Sequence, residues 1–219
     1  LVHCSIKILI SEDESIKMSL GFLMFNVQQN ITHQQRCYSV AFPEIPFVIT
    51  TATLNCQFRQ HGTELEKMCW NRLMRAKVEA IANSPFQTSI VVDTDLWPWN
   101  NERNLKSSVL RITSNHAMAG VMDQWRGGDI VDTPSLNGGF LLIKKCRAMD
   151  ALWADVLRFL DSNHDTQEQW AYTYLLSRHP NVNMTYLHHT WSCGDNIAGR
   201  ALQKCIFRHS HTIDRCPID

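Results

Sequence analysis

Short apolar runs alternate with longer amphipathic stretches along this chain, and the alternation predicts an α/β fold. Residues 5–10 read as an early strand, and residues 46–51, bounded by Pro43 and Pro46, as a second. From Glu64 to Ala82 the apolar positions Leu65, Met68, Cys69, Leu73, Ala76, Ala80 and Ile81 recur near helical spacing. That predicts one long helix, closed by Asn83-Ser84-Pro85. The run Ser89-Ile90-Val91-Val92 follows at once, and its β-branched residues predict a buried strand. From Asp95 to about Gly128 no clear period shows, and Gly127-Gly128-Asp129 marks a loop. A strand over 140–143, helices over 149–160 and 168–176, and a short strand over 205–207 complete the pattern. No repeat, low-complexity tract or linker divides the chain, so residues 1–219 are expected to form a single domain.

Composition narrows the function classes. The chain has 219 residues, 44% of them hydrophobic, enough to bury a full core. Lys plus Arg and Asp plus Glu balance at 21 each, without a long charge run, which argues against a nucleic-acid partner held by a basic face. No apolar stretch is long enough to span a membrane. The first residue is Leu1 rather than Met, so we expect a chain excised from a longer one. Eight cysteines, with no Cys-X-X-Cys pair, speak against a structural zinc site. Together with the sequons Asn30-Ile31-Thr32 and Asn183-Met184-Thr185 they favour an oxidising Golgi or ER lumen. A cytosolic protein with buried free thiols is the alternative.

The candidate chemistry centres on Asp93-Thr94-Asp95. Two carboxylates stand where a buried strand leaves the core, the end at which open α/β sheets bind ligands. Clustered acids stay charged there most readily beside a divalent cation. Both reach one metal only if the backbone turns after the strand, and Leu96-Trp97-Pro98 supplies the break, since Pro98 cannot continue a ladder. The bland alternative is a solvated turn.

Further features stand in fixed order around this motif. A helix bearing Trp70, Arg75 and Lys77 precedes it. Asn137-Gly138-Gly139-Phe140 opens a later strand, Glu168-Gln169 begins a helix, and Arg208-His209-Ser210-His211 follows a short apolar run. In this order the chain resembles nucleotide-sugar glycosyltransferases of the GT-A fold. Families 34, 8 and 77 and the small transferases of algal viruses are the likenesses, over roughly residues 64–211. The resemblance implies a single Rossmann-like open sheet flanked by helices. It also implies a nucleotide-sugar donor, with UDP favoured, a glycan or other hydroxyl acceptor, and Mn²⁺ or Mg²⁺ on the donor diphosphate.

Carried over residue by residue, the resemblance assigns Asp95 to the metal and Asp93 to ribose or metal, with Thr94 between them at the donor. His209 completes the metal shell, with His211 as its alternate. Asn137, Gly138 and Gly139 lie against the donor sugar, where glycines admit close backbone approach. Lys77 offers a cation towards the nucleotide or is a solvated helix residue. Glu168-Gln169 matches the family's Asp-Gln pair with one added methylene, so Asp165 competes with Glu168 for the catalytic carboxylate. Either acid alternatively caps its helix. Trp97, Trp99, Trp125 and Trp191 are candidates for stacking on acceptor sugars, the first two weighted higher because they flank the motif.

Two other classes share part of the pattern. A haloacid-dehalogenase-type phosphatase also carries Asp-X-Asp after an apolar strand, its first Asp a phosphoryl acceptor. It wants Thr or Val where Trp97 stands, and a motif near the start of the domain. A non-catalytic carbohydrate- or nucleotide-binding module of the same fold is opposed by intact Asp93, Asp95 and His209, though the Glu168 departure leaves it open.

Overall fold

The run Thr88–Val92 (β4) is buried at every residue, which is why it lacks polar alternation: it is the middle strand of a seven-stranded sheet. The computed structural model describes residues 4–9, 19–27, 31–54, 62–100, 102–122, 135–163, 166–193, 203–210 and 216. β2 (Leu20–Val27) lies beside β4, and β3 (Phe47–Leu54) beside β2, all three parallel. β1 (Cys4–Leu9) runs antiparallel on β3 at one edge. On the other side β7 (Leu136–Lys144) runs antiparallel to both β4 and β6 (Met118–Met122). β8 (Met184–Leu187) ends the sheet parallel to β6. All strands but β1 and β7 thus point one way, and their carboxyl ends form one rim.

Helices cover both faces. α2 (Glu64–Ala82), α4 (Arg147–Ser162) and α5 (Glu168–Leu176) share one cluster with Leu23, Val91 and Leu141. α1 (Thr32–Ala41) and α3 (Leu105–Asn115) share another with Phe22, Ile90, Val92 and Phe140. α2 has the expected bounds. Thr63 and Glu66 cap it reciprocally, the Thr63 hydroxyl accepting from the Glu66 amide at 3.4 Å and the Glu66 carboxylate from the Thr63 amide at 2.7 Å. Its apolar face begins only at Cys69. Leu65 and Met68, expected on that face, are exposed. Lys77 is buried there instead, in the middle of the packed side.

The period-free stretch after Asp95 proves structured. Besides β6 it contains α3, whose inward stripe is only Leu105, Val109 and Thr113, too thin to stand out by period. α1 was likewise unreadable: its ten residues are mostly polar and bury only Cys37, Tyr38 and Ala41. A second sheet, ordered β5-β10-β9, joins β5 (Leu96–Pro98), β10 (Phe207–His209) and β9 (Ser192–Cys193). Pro98 is therefore no break after the acids; it ends β5 opposite Phe207. The expected strand over 205–207 lies two residues later, where β5 and β9 offer partners. Cys37 is bonded to Cys216 and Cys193 to Cys205, and Cys69 is also in a disulfide. Among the described residues no helix is long and apolar enough to cross a membrane.

Candidate active site

The backbone turns sharply where β4 ends, the Leu96 amide donating to the Asp93 carbonyl at 3.1 Å. The turn is held from several sides. Asp93 donates its amide to the Gly139 carbonyl at 3.0 Å, and the Asp95 carbonyl accepts from the Ser210 amide at 2.9 Å. From α1, Gln34 Nε2 donates to the Thr94 carbonyl at 3.2 Å and the buried Tyr38 hydroxyl to the Leu96 carbonyl at 3.0 Å. Asp93 and Asp95 keep about a third of their side chains accessible, at 33% and 31%.

Lys77 is neither a solvated helix residue nor open to a nucleotide. Its Nζ stands 2.7 Å from Asp93 Oδ1, 2.8 Å from Glu168 Oε1 and 3.1 Å from the Gly138 carbonyl. An ammonium has three hydrogens, and each has an acceptor here. Burial works against its charge, but Asp93 and Glu168 outweigh it and hold the amine above the ordinary lysine range. Asp93 is itself pushed up, by burial first and by the charges of Asp95 and Glu168, against the pull of Lys77. Glu168 does not cap α5; it is buried at the helix start and bonded to Lys77.

The glycines have a physical reason of their own. Between the pairs Gly120–Leu141 and Met122–Leu136, β6 advances by two residues while β7 advances by five, so β7 bulges over Asn137-Gly138-Gly139-Phe140. A Cβ on Gly138 would stand 2.9 Å from Glu168 Oε1 and 3.2 Å from Gln169 Oε1; one on Gly139 would stand 2.4 Å from His209 Cε1. The space each glycine leaves is filled by the chain's own polar groups. Gln169 Oε1 accepts from the Gly138 amide at 3.2 Å, and Asn137 Oδ1 turns back to accept from the Gly139 amide at 2.8 Å.

β10 carries His209 to the acid turn, in register with Leu96. Its Nδ1 lies 3.5 Å from Asp95 Oδ1, and its Nε2 is buried with no hydrogen-bond partner among the described residues. Burial lowers the imidazole pKa, but Asp95, by hydrogen bond and charge, and Asp93 more than reverse that. Among the described residues, Asp93, Asp95 and Glu168 thus gather around a single lysine ammonium and one imidazole. Among the described residues no three His, Cys, Asp or Glu side chains are grouped so as to hold a metal ion.

Of the other expected residues, Asp165, His211, Trp125 and Gly127-Gly128-Asp129 lie outside the described residues. Trp97 is buried in the core, so it offers no face to a sugar. Trp99 is half-buried and carries the Arg208 guanidinium 4.8 Å above its ring. Gln34 and Tyr38 were missed. They act through backbone carbonyls some sixty residues away, and such contacts leave no mark in a sequence.

No protein-family model matches the chain, and no curated protein sequence matches it. Solved structures do. A glycosyltransferase involved in the glycosylation of the major capsid of PBCV-1 superposes with a TM-score of 0.59 at 12% identity, over 90% of this chain and 95% of its own. An active-site mutant of the galactosyltransferase LgtC gives 0.51 at 9% identity, over 89% of this chain and 88% of its own. At such identities the likeness lies in the path of the backbone. The chain has the α/β fold of these GT-A glycosyltransferases.

Proposed function

We propose that this chain is a metal-dependent glycosyltransferase. It takes a sugar from a nucleotide-diphosphate donor, UDP by resemblance, and passes it to a hydroxyl of a glycan or other acceptor. One observation carries the reading. At the carboxyl end of β4, on a fold shared with glycosyltransferases, Asp93, Asp95, Lys77, Glu168 and His209 converge from four different parts of the chain. Their donor chemistry fits a divalent cation. Two partly accessible carboxylates, and a buried imidazole nitrogen with no partner among the described residues, suit Mn²⁺, or Mg²⁺ on the oxygens. Asp93, Asp95 and His209 would hold that ion, which when bound supplies positive charge for a departing diphosphate.

The remaining residues bind and orient. Lys77 holds Asp93 and Glu168 in place before any ligand arrives. With one oxygen on Lys77 and almost no exposure, Glu168 acts as a fixed negative charge beneath the anomeric carbon, where positive charge develops, rather than as a mobile base. Gln169 and Asn137 shape the β7 bulge against which the donor sugar rests. In the reaction the anomeric carbon's bond to the diphosphate breaks, the acceptor oxygen bonds to that carbon, and the acceptor's proton passes to the departing diphosphate. The disulfides support an oxidising setting for this work.

A panel of sugar nucleotides, with and without Mn²⁺, tests the reading through thermal protection and slow donor hydrolysis. A UDP-sugar is expected to raise the melting temperature and release UDP only with the metal. Turnover of p-nitrophenyl phosphate with no response to any sugar nucleotide would replace the reading with a phosphatase. Metal-dependent donor binding without hydrolysis or transfer would leave a binding module.

A further inference from the structure

His209 reaches the acid turn from a part of the chain with little sheet of its own. β10 is three residues long, and its neighbours β5 and β9 have three and two. Strands this short hold few ladder bonds and open at low cost. A covalent bond stands on each side of His209. Cys205, four residues before it, is bonded to Cys193 in β9. Cys216, seven residues after it, is bonded to Cys37 in α1. Cys37 is fully buried between Gln34 and Tyr38, the two α1 residues that hold the Thr94 and Leu96 carbonyls. One helix thus grips the acid turn by hydrogen bonds and the segment after His209 by a disulfide.

Resting on the metal reading above, we propose that Cys37–Cys216 and Cys193–Cys205 are positioning bonds. They hold His209 beside Asp95, so that the site's affinity for Mn²⁺ and nucleotide depends on their oxidation state. A ligand on a fraying strand is out of reach for part of the time, and apparent affinity falls by that fraction. Cross-links remove many of the open states. Reduction by a dithiol delivers two electrons and two protons to each bond; two cysteine thiols result, and the dithiol becomes a disulfide itself. His209 then remains in the chain but loses its fixed place. Since Cys37, Cys193 and Cys205 are buried, reduction waits on local opening.

The test is Mn²⁺ titration at fixed UDP, by calorimetry, on the full chain. It compares wild type, His209→Ala, Cys37→Ser with Cys216→Ser, and Cys193→Ser with Cys205→Ser, each cysteine pair also in the His209→Ala background. Each cysteine pair is expected to weaken Mn²⁺ by ~10-fold or more, the range for losing the outer support of a metal ligand. In the His209→Ala background it is expected to add nothing. Equal losses in both backgrounds would mark the bonds as general staples and overturn the proposal, as would wild-type affinity in the cysteine variants. If wild type binds no Mn²⁺ with UDP, or His209→Ala binds it normally, the metal reading itself fails and takes the proposal with it. Should a cysteine variant not fold, wild type is titrated before and after reduction and alkylation, with circular dichroism confirming the fold. Unchanged affinity with both bonds open then counts against the proposal.

Discussion

The two sides of the candidate site are held together in different ways. On one side Lys77, Glu168 and Gly138 belong to α2, α5 and the β7 bulge, and the ammonium's acceptors all lie within 3.1 Å. That side is complete without a ligand. On the other, His209 rides a three-residue strand, its Nδ1 3.5 Å from Asp95 and its Nε2 without a partner among the described residues. A buried nitrogen left unpaired is costly, and the cost is relieved when something binds it. One side is therefore set in advance, while the other is where, on the proposed reading, a cation would bind. The acids of the motif, one residue apart, divide between them: Asp93 is tied to the Lys77 side and Asp95 to the His209 side.

The largest effect is expected on the closed side. Lys77→Met leaves Asp93 and Glu168 facing each other without the intervening charge, and breaking a buried ion pair in this way costs about 3–5 kcal/mol. Urea denaturation should show that loss, and turnover should vanish with it. Adding Glu168→Gln should recover part of the stability, because one stranded carboxylate is gone. A Lys77→Met protein as stable as wild type would mean the closed side is held by packing alone.

Asp95→Ala probes the open side and should separate function from stability. Mn²⁺-dependent nucleotide binding should disappear and turnover fall ~10³-fold, the scale for losing a main electrostatic stabiliser. The urea midpoint should hardly move, since relief of the Asp93–Asp95 repulsion offsets the lost contact with His209. Stability falling as far as in Lys77→Met would erase the distinction between the two sides.

The closed side was also the side readable in the sequence. α2 and α5 were expected with the bounds they have, because each carries a regular inward stripe or a clear start. β4 was readable because Ile90, Val91 and Val92 form an unbroken buried, β-branched run. The open side was hidden. Its strands are two or three residues long, below any window in which periodicity shows, and β10 pairs with β5 across more than a hundred residues. α1, which grips the turn, is polar almost throughout, and its contribution runs through two side chains and one disulfide. Lys77 was visible as a residue but not as a buried one, for a single polar position on an apolar stripe gives no sign of the partners that await it. The glycines were read as room for a sugar, yet their missing Cβ atoms make room for Glu168, Gln169 and His209, which only the fold brings near.

A smaller effect is expected from Glu168→Gln, which keeps shape and one hydrogen bond to Lys77. Nucleotide affinity should survive while turnover drops ~10²-fold, as for loss of a placed charge. Asp165→Asn, assayed beside it, should be close to normal. A larger loss in the Asp165 variant would transfer the role to that acid and leave Glu168 as part of the Lys77 scaffold.

The two adjacent glycines give the finest comparison, because each added methyl reports on one side. At Gly138 a Cβ meets Glu168 Oε1 at 2.9 Å, and that carboxylate is pinned by Lys77. It has nowhere to go, so Gly138→Ala should cost ~1–3 kcal/mol, the usual cost of overpacking, with Mn²⁺ affinity little changed in the folded fraction. At Gly139 a Cβ meets His209 Cε1 at 2.4 Å and Nε2 at 3.0 Å. This imidazole sits on a short strand with a loose contact to Asp95, so it yields. Gly139→Ala should therefore leave the urea midpoint nearly in place and weaken Mn²⁺ by ~10-fold, as for a displaced ligand, a defect that millimolar Mn²⁺ restores. Paired melts and Mn²⁺ titrations of the two variants decide the matter. If Gly139→Ala is the less stable protein and Gly138→Ala the one with weakened metal binding, the closed and open sides have been assigned the wrong way round.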